Sequence, residues 1–273
     1  MFPIILFTEV NLAIYAFLEP ALHSSVQLLT LLGYGVAAAL ANLVGGWWIV
    51  RHHGLSEKVL KYLIAAGAGF MLAAVFLKVV PASIAEQNGQ ATVPMLLLLA
   101  GYLLVQLVEH TIAQHFHFGE EVHEAAMVHP HAALTAVGGL AIHTFFDGVS
   151  IAAGFEVSFQ LGLLIFIAIM LHKIPEGFTV ASIMIASGRE RKAARLATWV
   201  VGAATLLGVL TIALLHPLTA YALPFSAGVT LYVAASDLIP EVNNKGEGPI
   251  TSLVVFGGVA LYYLTDTLLD TLH

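Results

Sequence analysis

The sequence predicts an all-α integral membrane protein of about eight transmembrane helices. Of its 273 residues, 59% are hydrophobic and only 10% are charged, where an ordinary soluble domain carries about 25% charged residues. Mean hydropathy is +0.91. Apolar runs of roughly 20 residues, long enough to cross about 30 Å of hydrocarbon as a helix, recur along the whole chain. The alternating ten-residue pattern of an outer-membrane barrel is missing.

The apolar windows place spans near Gln27 to Val50, Leu60 to Val80, Val93 to Ala113, Ala132 to Phe155, Phe159 to Ala186, Leu196 to Leu215, Ala222 to Ile239 and Ile250 to Leu269. Residues 27–273 then form one transmembrane domain, and residues 1–26 form an N-terminal segment of their own. Within that segment, Phe2 to Leu18 is apolar but short and broken by Glu9 and Asn11, so it reads equally as an extra span or an interfacial helix. It lacks the basic start and small-residue cleavage site of a signal peptide and is expected to stay in the mature protein.

Basic residues set the orientation. Arg51, Lys58 and Lys61 follow the first span, Arg189, Arg191, Lys192 and Arg195 the fifth, and Lys245 the seventh. These are alternate loops, which the positive-inside rule assigns to the cytoplasm together with the long loop after the third span. Both ends of the eight-span core then lie outside.

Two spans carry matching polar inserts. His143-Thr144-Phe145-Phe146-Asp147-Gly148 and His172-Lys173-Ile174-Pro175-Glu176-Gly177 each set an imidazole and a carboxylate four residues apart, on one helix face. Ionisable groups in a span cost several kcal/mol unless they meet a partner, an ion or water. A short turn around Glu156 and Val157 makes the two helices antiparallel, so their midpoints can face each other. The pair is also a weak internal repeat, and an inverted repeat with a site near the midplane is a common layout of secondary transporters.

His143, Asp147, His172 and Glu176 are therefore the candidate metal ligands. Two imidazoles and two carboxylates suit Zn²⁺, and also Fe²⁺, Mn²⁺ or Cd²⁺. The chain has no cysteine, so thiolates are excluded. The plainer alternative is that these residues only cross-link helices by hydrogen bonds, a reading weaker for a doubled pattern than for a lone histidine. Pro175 removes one backbone hydrogen bond and frees a carbonyl near Leu171.

Lys173 lies mid-span, too deep to snorkel, and is expected to pair with a carboxylate and to repel a second cation. Lys78, three residues before Pro81, is expected to snorkel. Asp237 in Ser236-Asp237-Leu238-Ile239-Pro240-Glu241 lies near a cytoplasmic helix end, where an exit-path role and no role are equally good readings; Glu109 and His110 are similar candidates. The cytoplasmic segment 110–131 holds His110, His115, His117, His123, His129 and His131 among Glu120, Glu121 and Glu124. Such a tract can gather metal weakly, as a mobile buffer or sensor, or be a simple solvated loop.

With these residues in view, the chain resembles the ZIP family of divalent-metal transporters, in its bacterial form. His143 to Gly148 looks like the family's fourth-span motif His-Asn-x-x-Asp/Glu-Gly, and His172 to Gly177 like the fifth-span motif His-x-x-Pro-Glu-Gly. Ser226-Ala227-Gly228, Leu231-Tyr232-Val233-Ala234 and Asp237 to Glu241 are similar to its seventh-span signature. The resemblance implies a bundle with inverted repeats, outside termini and a homodimer in the cell membrane, the inner membrane of a bacterium. It implies Zn²⁺ or another divalent transition metal carried as substrate toward the cytoplasm by rocking or sliding one helix bundle against another. Lipid and metal ions are the expected partners, and nucleic acid is not.

Two departures from the family pattern matter. Members with a two-metal centre carry a polar ligand after each His, commonly Asn in the fourth span and Asn or Asp in the fifth, and Thr144 and Lys173 stand there here. The expectation is a single metal, with the Lys173 ammonium in the place of the second cation. Met71 lies near where some members place a thioether ligand, although a methionine in a span is ordinarily packing. Because imidazole ligates only when neutral, transport is expected to weaken below about pH 6.5.

The runner-up reading is an intramembrane metal-dependent hydrolase, for which Ser150 and Ser182 are the only favourable features. It would need an open coordination position and a water activated by a base, and the His-Glu-x-x-His motif is absent.

Overall fold

A computed structural model describes residues 27–48, 50, 57–111, 130–243 and 248–272. Eight helices in it are long and apolar enough to cross a membrane: α1 (Gln27–Trp48), α2 (Lys58–Glu86), α3 (Thr92–Thr111), α4 (Ala133–Val157), α5 (Phe159–Ala186), α6 (Arg191–Leu214), α7 (His216–Asn243) and α8 (Pro249–Thr271). The described part is thus an all-α, multi-pass membrane protein. The stretch Phe2 to Leu18, Arg51, Lys245, His115, His117, His123, His129 and the side chain of His131 lie outside the described residues.

Several helices outrun their expected spans. Helix α2 continues past Val80 to Glu86, α6 begins at Arg191 rather than Leu196, and α7 runs from His216 to Asn243. Hydropathy marks where apolar side chains stop, whereas the backbone ladder continues into polar ends that reach the interface. Inside α2 and α7 the winding loosens to a π-helical stretch, Val75–Val79 and Val233–Leu238, each ending two residues before a proline, Pro81 and Pro240. Proline has no N–H for the carbonyl four residues back, and a wider turn shifts the bonding register around that gap.

Helices gain little from the hydrophobic effect when they associate in lipid, so close backbone approach through small residues replaces it. Four helix pairs here are each clasped by one glycine from either side. A Cβ at Gly148 of α4 would lie 2.0 Å from the Thr205 carbonyl oxygen of α6, and one at Gly208 of α6 would lie 2.0 Å from that of Phe145. Gly177 of α5 faces the Asn42 carbonyl of α1 in the same manner, and Gly45 of α1 faces that of Ile174. Gly69 and Gly258 clasp α2 to α8, and Gly101 and Gly228 clasp α3 to α7. Two of these eight glycines, Gly148 and Gly177, end the polar inserts.

The pairs assemble into two bundles. Helices α1, α4, α5 and α6 form one, with α5 packed on both α4 and α6; helices α2, α3, α7 and α8 form the other, joined where α2 meets α7. The bundles touch along α4 against α7 and α2 against α5. Helices α5 and α7 are the most buried, and α3 and α8 the least.

Replacing Gly148 by Ala is expected to destabilise the protein by roughly 1–3 kcal/mol, the usual cost of forcing an extra carbon into a packed interior. Gly138→Ala, on the same helix with nothing within 4 Å of its new Cβ, should leave thermal unfolding in detergent unchanged. Equal melting temperatures for the two variants would refute the clasp.

Candidate metal centre

Helices α4 and α5 are separated by Ser158 alone, in extended conformation, whose hydroxyl accepts the Leu161 N–H at 3.1 Å as an N-cap. So tight a turn forces an antiparallel hairpin. Asp147 and His143 lie 11 and 15 residues before it and His172 and Glu176 14 and 18 residues after it, which at about 1.5 Å per residue puts the two pairs within about one turn of the same depth, near the middle of α5.

The hairpin brings the four expected ligands together. His143, Asp147, His172 and Glu176 are all buried, and one ligand atom from each lies within 4.8 Å of the others. Asp147 Oδ2 is 3.3 Å from His172 Nε2 and 3.4 Å from His143 Nε2; Glu176 Oε2 is 3.9 and 4.0 Å from the same two nitrogens. Ligands bound at about 2.0 Å around a tetrahedral ion stand about 3.3 Å apart. The cluster needs only a slight contraction to reach that spacing.

The hydrogen bonding of the imidazoles points the same way. His172 Nδ1 lies 3.2 Å from the Ala168 carbonyl oxygen, which can only accept, so Nδ1 carries a hydrogen. In the neutral ring Nε2 then presents a lone pair to the carboxylate oxygen 3.3 Å away. Two acceptors that close call for a cation or a proton between them. Both ring nitrogens of His143 and Oδ1 of Asp147 are buried without a hydrogen bond among the described residues, a costly state in a protein interior that ligation would relieve.

A cation does stand in the cluster. Lys173 Nζ lies 2.6 Å from both Asp147 Oδ2 and Glu176 Oε2, and 3.4 Å from Thr144 Oγ1. The ammonium therefore grips the same two oxygens that face the histidines. Pairing of Lys173 with carboxylates is as the sequence suggested, with two partners in place of one. The other oxygen of Glu176, Oε1, accepts from the Thr144 hydroxyl and from Asn42 Nδ2 of α1 at 3.0 Å. Asn42 is fully buried and lies outside both inserts. Its signal in the sequence is an amide in the interior of an apolar span, one turn before the close-packing Gly45 and Gly46.

Other candidates fall elsewhere. Met71 is buried in an apolar cluster with Phe70, Ala68 and Leu164 of the α2–α5 contact, where it packs. Asp237 contacts Glu109 across the α3–α7 interface, Tyr232 donates to Glu109 Oε2 at 2.9 Å, and the Tyr102 and Ser236 hydroxyls meet at 2.9 Å. This polar cluster is separate from the four ligands. His110 is exposed and bonds back to the Gln106 carbonyl oxygen at 2.9 Å. Lys78 does more than snorkel, since its ammonium pairs with Asp266 of α8 at 2.7 Å. That partner sits 188 residues along the chain, out of reach of local reading.

The described residues thus place a buried centre of imidazoles and carboxylates, which could hold a metal ion, inside a multi-pass helical bundle. Residues 119–266 match the ZIP zinc transporter family, and the chain belongs to that family. That family is one of zinc transporters. The chain is 32% identical over 167 residues to the zinc transporter ZIP9 of Micropogonias undulatus, covering 57% of this chain and 53% of that protein. It is 33% identical over 161 residues to ZIP9-B of Xenopus laevis, covering 55% and 52%. A ZIP13 homolog of Drosophila melanogaster matches at 32% over 113 residues, covering 39% of this chain and 32% of the relative. The chain thus spans about half the length of the first of these curated relatives.

Removing one partner of a buried ion pair typically costs about 3–5 kcal/mol, because the charge left behind is uncompensated. Lys173→Met is therefore expected to lower the melting temperature of the metal-free protein sharply. An unchanged melting temperature would mean that the carboxylates do not depend on the ammonium.

Proposed function

We propose that the protein carries a divalent transition metal, Zn²⁺ foremost, across the membrane toward the cytoplasm, with His143, Asp147, His172 and Glu176 as the ligands of the ion in transit. The observation that carries this reading is the convergence of the four ligand atoms within 4.8 Å, in a chain of the family whose relatives are named zinc transporters. Fe²⁺, Mn²⁺ and Cd²⁺ suit the same donors less specifically. One ion occupies the centre at a time, because the Lys173 ammonium fills the place a second cation would take.

The transporter works as a homodimer in a lipid bilayer, the inner membrane of a bacterium. Supporting this are the apolar outer faces of α3 and α8, where Leu96, Leu99, Leu103 and Leu107, and Leu253, Phe256 and Leu264, are exposed. Trp47, Trp48 and Trp199 are exposed as well, as membrane-interface aromatics are. All four ligands sit on α4 and α5, in one bundle, so displacement of that bundle against the other would carry the centre without dismantling it. Asp237 and Glu109 are proposed to line the exit, and the segment 110–131 to receive the ion. Residues 1–26 are proposed as an N-terminal segment of their own, an extra helix or an interfacial segment, ahead of the transport domain.

Uptake into liposomes tests the reading. Zn²⁺ and Cd²⁺ should enter and Mg²⁺ and Ca²⁺ should not, transition-metal flux should disappear in the His143→Ala, His172→Ala double variant, and flux should weaken on acidification as protons compete for the imidazoles. Flux unchanged by the double substitution would return these residues to a structural role. A second measurement addresses stoichiometry: Lys173→Asp should raise the bound metal per chain, and no gain would refute the surrogate-cation role of the lysine.

A further inference from the structure

Glu176 has two oxygens in unlike surroundings. Oε1 accepts two neutral hydrogen bonds, from Asn42 Nδ2 at 3.0 Å and from the Thr144 hydroxyl. Oε2 alone faces the two imidazoles and the ammonium. Asn42 is held in register by the α1–α5 clasp, because its own carbonyl oxygen is the atom that approaches Gly177, the residue after Glu176. The carboxylate's orientation is therefore built into the contact between two helices. Asp147 has no such restraint, since its Oδ1 makes no hydrogen bond among the described residues.

We infer that Asn42 and Thr144 set the metal selectivity of this centre by tying up one oxygen of Glu176, which then binds an ion through the other oxygen only. The inference rests on the metal-site reading above. With Oε1 engaged, the protein can offer two imidazole nitrogens, Glu176 Oε2 and one or both oxygens of Asp147. That is a set of four or five ligand atoms. Zn²⁺ is content with four and expands to five, whereas Mn²⁺ takes octahedral, oxygen-rich shells. Every ligand side chain here is at most 5% exposed, so the protein must supply most of the shell. Freeing Oε1 would let Glu176 bind through both oxygens and supply the sixth ligand atom that Mn²⁺ lacks. Asn42 and Thr144 thus act through Glu176, as positioning residues and not as ligands.

A purely structural cross-link between α1 and α5 would make a different prediction, namely an equal loss of affinity for every metal. The test is calorimetric titration of Zn²⁺ and, separately, Mn²⁺ into the full chain in lipid nanodiscs. It compares the unaltered protein, Asn42→Leu, Thr144→Val, these two combined, and the double-histidine variant. Losing a hydrogen bond to a metal-ligating group should weaken Zn²⁺ binding roughly tenfold, while Mn²⁺ binding holds or strengthens, so the preference for Zn²⁺ over Mn²⁺ contracts by at least that factor. A parallel loss for both ions, or no change for either, would overturn the inference. Thr144→Val is nearly isosteric and carries the test if Asn42→Leu does not fold. Failure of the underlying site reading would look different, as Zn²⁺ binding that survives loss of both histidines.

Discussion

The bridge from the Lys173 ammonium to Asp147 and Glu176 is the interaction on which the centre of this protein depends. Two carboxylates buried at mid-span are tolerable only beside a positive charge at contact distance, and both contacts here are 2.6 Å. That requirement fixes much else. The ammonium must come from the same helix as Glu176 and reach across to α4, which demands a short, rigid α4–α5 turn. Ser158 provides it. The two helices must also be held at a fixed distance from their outer neighbours, and the glycines that end the two inserts do this on either flank, Gly148 against α6 and Gly177 against α1.

The partition of helices around the centre has a mechanical consequence. Ligands from α4 and α5, and the amide from α1, belong to one glycine-clasped bundle, while α2 and α7 of the other bundle border it. Polar ties between the bundles lie at the α4–α5 turn. Gln160 donates to Asp266 at 3.1 Å and to Asp270 at 2.5 Å on α8, and Glu156 meets His216 of α7 at 3.2 Å. Contacts of this kind, partly exposed at the bundle's end, cost less to exchange than fully buried ones. The bonds inside the centre are buried and costly to break, so relative movement of the bundles would open these outer ties first and leave the ligand set whole.

Composition and two short inserts were enough to read the class, the span count and the four clustered residues, because each depends on local spacing. The i, i+4 pairs of His143 with Asp147 and His172 with Glu176 share a face by helical geometry alone, and the near-absent loop at Ser158 fixes their depth. What could not be read depends on how helices are rotated against distant neighbours. Asn42 meets Glu176 across 134 residues, Lys78 meets Asp266 across 188, and nothing in 24 glycines marks which eight face a partner's carbonyl. The helices outrun the apolar windows for a related reason: Arg191, Lys192 and Arg195 lower the hydropathy of the start of α6 without interrupting its hydrogen bonds.

On the metal-site reading, the lysine also bears on how tightly the ion is held. A carrier must bind strongly enough to strip an ion of its water and weakly enough to release it. Asp147 Oδ2 and Glu176 Oε2 are the oxygens nearest the imidazoles and are also the ones gripped by Lys173, so an arriving cation must share or displace an ammonium already in contact with its ligands. Part of the ligation energy is spent on that exchange. Affinity is thereby moderated without removing a ligand or loosening its geometry. When the ion departs, the ammonium is tethered one residue from His172 and can return to both carboxylates, so the empty centre does not face the membrane interior with two bare negative charges.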